Sequence, residues 1–284
     1  MRNLVSIIIP TKNRKGLLVQ AIESCLVQTY AALEVVVVDD ASDDGTEEAV
    51  RKFADSRIVY LKQSVSRGSV AAINRGFASA KGAYLTWSSD DDFYKPEAVA
   101  ALVAVLDTEQ DVDFVYAHYW MVDMDGKILN AARVEDPEGL STDNYVGHCF
   151  LYRRKVYESI GDYHAEPFLA EEYEYWLRVR ARFTMRRLAV PLYFHRIHPL
   201  TLTSVHGEER MQAGVARARQ PFIPAWRHHF LVARWHYHRA RRLKSLGHAL
   251  LAACLRPWHV PTWRIMALDI FPAGFVAFLR SGRE

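Results

Sequence analysis

The chain has 284 residues, enough for one large α/β domain with an appendage or for two modest domains. Half of the residues are hydrophobic, 24% are charged and the formal net charge is +3, a balance that excludes disordered and fibrous classes. Cys25, Cys149 and Cys254 are scattered and form no C-x-x-C pair, which argues against a disulfide framework or a zinc ribbon and suits a reducing cytoplasm.

In chain order, Val5 to Ile9 reads as a short β-branched strand ended by Pro10, and Leu18, Ile22, Cys25 and Leu26 recur at helical spacing. Glu34 to Asp40 is an apolar run without alternation, as a strand buried on both faces requires. Arg57 to Leu61 reads as a third strand, Ser69 to Ala80 as a helix and Tyr84 to Ser88 as a fourth strand, which predicts a doubly wound, mainly parallel sheet. From Val112 the pattern predicts two strands joined by a turn at Asp125-Gly126, then strands at Cys149 to Arg153 and Leu188 to Phe194 with a helix over Glu171 to Arg182 between them. An antiparallel section thus follows the parallel one.

After about Ser204 the pattern is helical and broken by prolines, so the expected division is an α/β domain over 1–205 and a basic, aromatic-rich helical extension over 206–284. From His206 onward thirteen Lys and Arg face four acidic residues. No signal-peptide core stands at the N-terminus, and the apolar stretch Ile265 to Leu279 is interrupted by Asp269 and Pro272, too short to cross a bilayer. Basic groups beside Trp226, Trp235, Trp258, Trp263, Phe271, Phe275 and Phe278 are what a helix lying on an anionic membrane needs, so a cytoplasmic chain attached peripherally to the inner face is expected. The competing use of these residues is packing on the first domain or on a second subunit; nucleic acid is not an expected partner.

Ligands of a parallel α/β sheet bind beyond the carboxyl ends of its strands, where the polar clusters here stand: Pro10-Thr11-Lys12-Asn13-Arg14, Asp39 to Thr46, and Ser88-Ser89-Asp90-Asp91-Asp92. Three consecutive carboxylates after an apolar strand repel one another unless a cation compensates, and a hard divalent ion, Mn²⁺ or Mg²⁺, is the simplest one. Such ions complete their shell with water and substrate phosphates, which points to a diphosphate ligand. Neither G-x-x-x-x-G-K-[ST] nor G-x-G-x-x-G follows the first strand, so phosphate binding falls to the metal and to Arg67, Lys12 or Arg14.

The stretches VSIIIPTKNR, EVVVVDDASDDGT, RGSVAAINRGFASAKGAYLTWSSDDDFYKPEAV, FLAEEYEYWLRV and LYFHRIHPLTLTS resemble, in order over roughly residues 4 to 204, the motifs of family 2 glycosyltransferases with the GT-A fold. The resemblance implies an inverting enzyme that moves a sugar from a nucleotide-sugar donor to an acceptor hydroxyl, in polysaccharide or envelope-glycan synthesis, with a glycan or lipid-linked acceptor. It implies that Pro10, Thr11, Lys12 and Asn13 lie over the base and ribose. Asp40 is the aspartate expected to accept the base imide, a role that suits uracil or thymine because a carboxylate only accepts. Asp90 to Asp92 resemble the D-x-D element, with Asp90 toward the ribose and Asp91, Asp92 and His198 as metal ligands; the register at 90 and 91 or at 91 and 92 stays open. Glu171-Glu172 matches the E-D element, with Glu172 as general base where the family has Asp. A sugar nucleotidyltransferase and a Mg²⁺-binding receiver module are the rival readings. The first would carry a Gly-rich loop after the first strand and the second would place its acid pair at the end of that strand, neither of which is found here.

Overall fold

The structure, a computed structural model, describes residues 3–199, 201–239 and 241–270. Its first half alternates β1 (Val5–Thr11), α1 (Lys15–Leu26), β2 (Leu33–Asp39), α2 (Thr46–Arg51), β3 (Ile58–Lys62), α3 (Ser69–Ser79) and β4 (Tyr84–Trp87). Every residue of β2 and β4 is buried, as expected of strands covered on both faces, whereas β3, at the sheet edge, is only half-buried. β1 pairs in parallel with β2 and β4, and β2 with β3. Gly76 lets α3 press against β1, since a Cβ there would meet Ile8 Cγ2 at 2.4 Å.

The second half follows as β5 (Phe93–Tyr94), α4 (Ala98–Thr108), β6 (Phe114–Val122), β7 (Ile128–Ala132), β8 (Cys149–Arg153), α5 (Arg154–Ile160), α6 (Glu171–Arg180) and β9 (Met185–Arg196). The hairpin β6–β7 turns where expected: Gly126 takes φ +82°, and Asp123 Oδ1 accepts from the backbone N–H of Asp125 and Lys127. The strand expected over 188–194 is longer. Pro191 does not end it, because the β6–β9 register shifts around His118, opposite Pro191, and absorbs the missing donor.

Among the described residues the sheet order is β3-β2-β1-β4-β8-β6-β9-β5, with β7 on β6. β8 runs antiparallel to both β4 and β6, and β6 runs parallel to β9. Two reversals restore direction, so β9 points the same way as β1, β2 and β4, and all four carboxyl ends open on one edge. A core including Ile7, Ile9, Leu18, Ile22, Val35, Val37, Leu102 and Leu106 packs α1 and α4 onto the sheet.

The chain divides into two compact units, Met1–Met211 and Gln212–Glu284. After α7 (Leu202–His206), α8 (Glu208–Arg219) spans the boundary, and the second unit contains α9 (Ala225–His238), α10 (Arg242–Leu255) and α11 (Val260–Ile270). Ala233, Ala249, Ala253, Ile265 and Met266 form its core. The buried residues of α10 are small (Ser245, Ala249, Ala252, Ala253), while Leu243, Leu250, Leu251 and Leu255, followed by Trp258, are all exposed. Leu243 and Trp258 are 88% and 89% exposed, whereas Leu246 is the large apolar side chain of α10 that packs against the core. Phe271, Phe275 and Phe278 lie outside the described residues. No helix among the described residues is long and apolar enough to cross a membrane.

Candidate active site

At the end of β1 the chain turns sharply at Asn13, which has φ +53°. The turn is locked to the end of β2: the Asn13 N–H donates to Ser42 Oγ (2.9 Å), and the Asp43 N–H donates to Asn13 Oδ1 (2.9 Å). Pro10 is half-buried and Thr11 buried, while Lys12 is exposed and donates to Ser66 Oγ (2.9 Å). An open cleft of about 440 Å³ beside this turn is lined by Ala41, Ser42, Lys62, Gln63 and Ser64.

Asp40 is buried at the same edge, but its carboxylate is engaged differently from expectation. Oδ1 accepts from Gln63 Nε2 (2.7 Å) and the Arg67 N–H (2.7 Å), and Oδ2 from Ser66 Oγ (2.7 Å) and the Gly68 N–H (2.9 Å). Four donors fill the acceptor capacity of a carboxylate, so here Asp40 clamps the loop 63–68. Burial alone would raise its pKa, yet the hydrogen bonds from Arg67, Ser66 and Gly68 and the charge of Lys12 prevail and lower it. Arg67, expected as a phosphate ligand, contributes its backbone N–H to this clamp while its side chain is exposed.

The three acids after β4 are all buried and part company. Asp90 Oδ2 accepts from Thr11 Oγ1 (2.8 Å), which ties β4 to β1. One guanidinium nitrogen of Arg14 bridges Asp90 Oδ1 (3.2 Å) and Asp91 Oδ2 (2.8 Å). Asp91 Oδ2 also meets His198 Nε2 at 2.9 Å. Asp90 is pushed up to about 6 by burial and by the neighbouring Asp91 charge. Burial acts on Asp91 too, but hydrogen bonds from Ser89 and His198 and the Arg14 charge outweigh it, and its pKa is lowered.

Asp92 turns toward β9. Its Oδ1 accepts from the Arg196 N–H (2.8 Å), and its Oδ2 accepts from Tyr193 Oη (3.1 Å) and lies 3.0 Å from His195 Nδ1. His195 stacks on His148 at 3.8 Å between centroids. Among the described residues, the set of three metal-capable groups whose donor atoms lie within 4.8 Å of one another is Asp92, His148 and His195. The structure therefore separates the expected ligands, Asp91 going with His198 and Asp92 with the histidine pair. Carboxylate oxygens with a single imidazole, as around Asp91, are a donor set that Mg²⁺ or Mn²⁺ accepts.

Glu171 and Glu172 form the first turn of α6, where the helix dipole favours ionised carboxylates. Burial prevails: Glu172 is pushed up to about 7 by desolvation and then by Glu171, and Glu171 is raised by desolvation. Glu172 lines a small pocket with Trp87, Ser89, Gly147, His148, Phe150 and Tyr193, which sets it beside the end of β4 and near the Asp92–His195 pair. Burial works against a charge on His195, but Asp92 prevails and raises its pKa; burial, then His195, pushes His148 well below its ordinary value.

His195, His148, Gln63 and Ser66 were not singled out from the sequence. The alternation of β9 holds a usable signal for His195, since Tyr193 and His195 stand two apart on one face and both reach Asp92. His148 offers none, because its placement depends on β8 pairing with β6 across many residues.

A GT-A architecture of this kind recurs in solved structures. A mannosyltransferase from Pyrobaculum calidifontis in complex with GDP-Man and Mn²⁺ superposes with a TM-score of 0.64 at 19% identity, over 99% of this chain and 80% of that one. S. aureus TarS 1-349 in complex with UDP-GlcNAc gives 0.64 at 15% identity, over 98% and 92%. In sequence, an uncharacterized glycosyltransferase of Rickettsia bellii is 30% identical over 223 residues, 72% of this chain and 32% of that protein. An Escherichia coli UDP-Glc:alpha-D-GlcNAc-diphosphoundecaprenol beta-1,3-glucosyltransferase, WfaP, is 35% identical over 118 residues, 42% of this chain and 47% of that protein. These matches span about a third to a half of the length of the curated relatives. The profile described as "Glycosyl transferase family 2" matches residues 6–161, more than half of the chain, from β1 through the acid triplet to the end of α5. On this match over the strands that carry the site, the chain belongs to glycosyl transferase family 2.

Proposed function

We propose that the chain transfers a sugar, with inversion, from a uridine or thymidine diphosphate sugar to an acceptor hydroxyl. The observation that carries the reading is Glu172, a carboxylate raised to about 7 in a pocket shared with Ser89 at the end of β4, next to the buried acids. Glu172 takes the proton as the acceptor oxygen bonds to the anomeric carbon, and the bond from that carbon to the diphosphate oxygen breaks. A divalent ion held by Asp91 and His198 would supply charge neutralisation for the departing diphosphate. Lys12 and Arg14, at the turn after β1, add positive charge at the same edge. Production of free UDP that depends on both a sugar donor and an acceptor tests the reading, and formation of a nucleotide sugar from NTP and sugar 1-phosphate overturns it.

Base choice follows from Asp40. A base imide gains this carboxylate by exchange with one of its loop donors, and the hydroxyl of the exposed Ser66, which can rotate, is the one released most readily. Uracil N3 brings a hydrogen and cytosine N3 a lone pair, so UDP should bind about tenfold or more tightly than CDP, the worth of a hydrogen bond to a charged group. Calorimetry with both nucleotides checks this. Equal affinities would take Asp40 out of base recognition.

The second unit supports attachment to an anionic membrane, where a lipid-linked acceptor of the kind named for the Escherichia coli relative would be met. From Gln212 onward the sequence holds twelve Lys and Arg against Asp269 and Glu284, and the exposed leucines of α10 with Trp258 supply the apolar face. The intact chain should co-sediment with vesicles containing phosphatidylglycerol, less so in high salt, and the pair Leu251→Glu and Leu255→Glu should release it. A chain that ignores vesicles but dimerises through these leucines would assign the face to a second subunit instead.

A further inference from the structure

We infer that Arg14 is a built-in counter-ion that competes with the divalent metal for the acid pair, so that metal and nucleotide diphosphate bind cooperatively. The inference rests on the metal reading of the Proposed function. Its starting point is geometric: one nitrogen of Arg14 lies between two carboxylates, 3.2 Å from Asp90 Oδ1 and 2.8 Å from Asp91 Oδ2. Asp91 Oδ2 is also the oxygen that meets His198 Nε2. That oxygen therefore already serves two nitrogen partners: an ion held by it and by His198 would take the place of the contact between them and would bring a second cation against the Arg14 guanidinium.

Arg14 is the cation built to leave the acid pair. His198 and both aspartates are buried, whereas the Arg14 side chain is 30% exposed and stands just before α1, at the end of the turn set by Asn13. Arginine binds phosphate oxygens in the same forked geometry that it uses with carboxylates. An arriving diphosphate thus offers Arg14 a second anion at the edge where Thr11, Lys12 and Asn13 already lie. The guanidinium moves to the phosphate, the carboxylates become available to the cation, and each ligand raises the affinity for the other. Linkage requires the effect to be reciprocal. Lys12 does not share this role, since its ammonium donates to Ser66, on the loop clamped by Asp40.

The test measures Mn²⁺ binding to the full chain by calorimetry and by the loss of the free-ion paramagnetic resonance signal, with and without UDP. The wild type should bind Mn²⁺ weakly alone and roughly tenfold or more tightly with UDP, the usual size of a coupling between two sites. Arg14→Gln should bind Mn²⁺ alone more tightly than the wild type by a similar factor and should lose most of the UDP enhancement. Arg14→Lys, which keeps one positive charge within reach, should retain part of it. If Arg14→Gln folds, by circular dichroism, and leaves Mn²⁺ affinity and its UDP enhancement unchanged, the counter-ion role is overturned while the metal reading stands. If no form binds Mn²⁺ even with UDP, the metal reading itself fails and takes this inference with it.

Discussion

Glu172→Gln should lower turnover by about 10²–10⁴-fold, the span that a positioned base contributes, while donor affinity changes little. The amide keeps the shape of the carboxylate and its place in the pocket with Ser89, His148 and Tyr193 but accepts no proton. The pH dependence gives a second readout. A base works when ionised, and with Glu172 raised to about 7 by burial and by Glu171, the rate should climb with pH through about 7. That ascending limb should vanish in the Gln variant. Stability runs the opposite way: a carboxyl raised on folding favours the native state below its ordinary value of 4.5, and the advantage is lost as pH rises through about 7. Glu172→Gln should therefore unfold at a higher temperature than the wild type above pH 7. A milder loss of turnover than that of Glu171→Gln would move the base to the neighbouring residue.

The parts of this site that the sequence disclosed are those in which local pattern and function coincide. Glu34 to Asp40 could be read as a buried parallel strand ending in acids because four valines in a row exclude a solvated face, and the strand Leu33–Asp39 is buried throughout. Glu171 and Glu172 at a helix start were legible for the same reason, through periodicity and the order of motifs. The roles within a run of like residues were not. Asp90, Asp91 and Asp92 are chemically identical in sequence, and their separation toward Thr11, His198 and His195 is created by β1 and β9 arriving from 79 to 107 residues away along the chain. Asp40 shows the same limit: its acceptor chemistry was readable, but the four donors that occupy it come from a loop more than 20 residues later. The strand over Leu188 to Phe194 was legible across Pro191, and its extension back to Met185 rests on the pairing with β6, whose register shift accommodates the proline.

Asp91→Ala and Asp92→Ala should fail in different ways, and the contrast locates the metal. Asp91 meets His198 and Arg14, the second of which keeps Asp90 at 3.2 Å when Asp91 is removed, and the loss also relieves the repulsion that raises Asp90. The variant should fold and melt near the wild type, yet UDP binding should no longer strengthen with Mn²⁺. Asp92 instead receives the Arg196 N–H and the Tyr193 hydroxyl, and both partners are buried. Removing it strands the Arg196 N–H, leaves the Tyr193 hydroxyl only Ser88 Oγ at 2.8 Å and takes the carboxylate partner from His195, at a cost of about 2–4 kcal/mol from the desolvation of unpaired groups. In a unit of this size that corresponds to a drop of roughly 5–15 °C in melting temperature. Asp92→Ala should accordingly be thermally weakened, with Mn²⁺-dependent UDP binding still detectable below its lowered transition. The opposite pattern, a stable Asp92→Ala that has lost the metal effect beside an Asp91→Ala that keeps it, would place the ion with Asp92, His148 and His195, the donor set gathered within 4.8 Å. Full activity of the wild type in EDTA would remove the ion from both places.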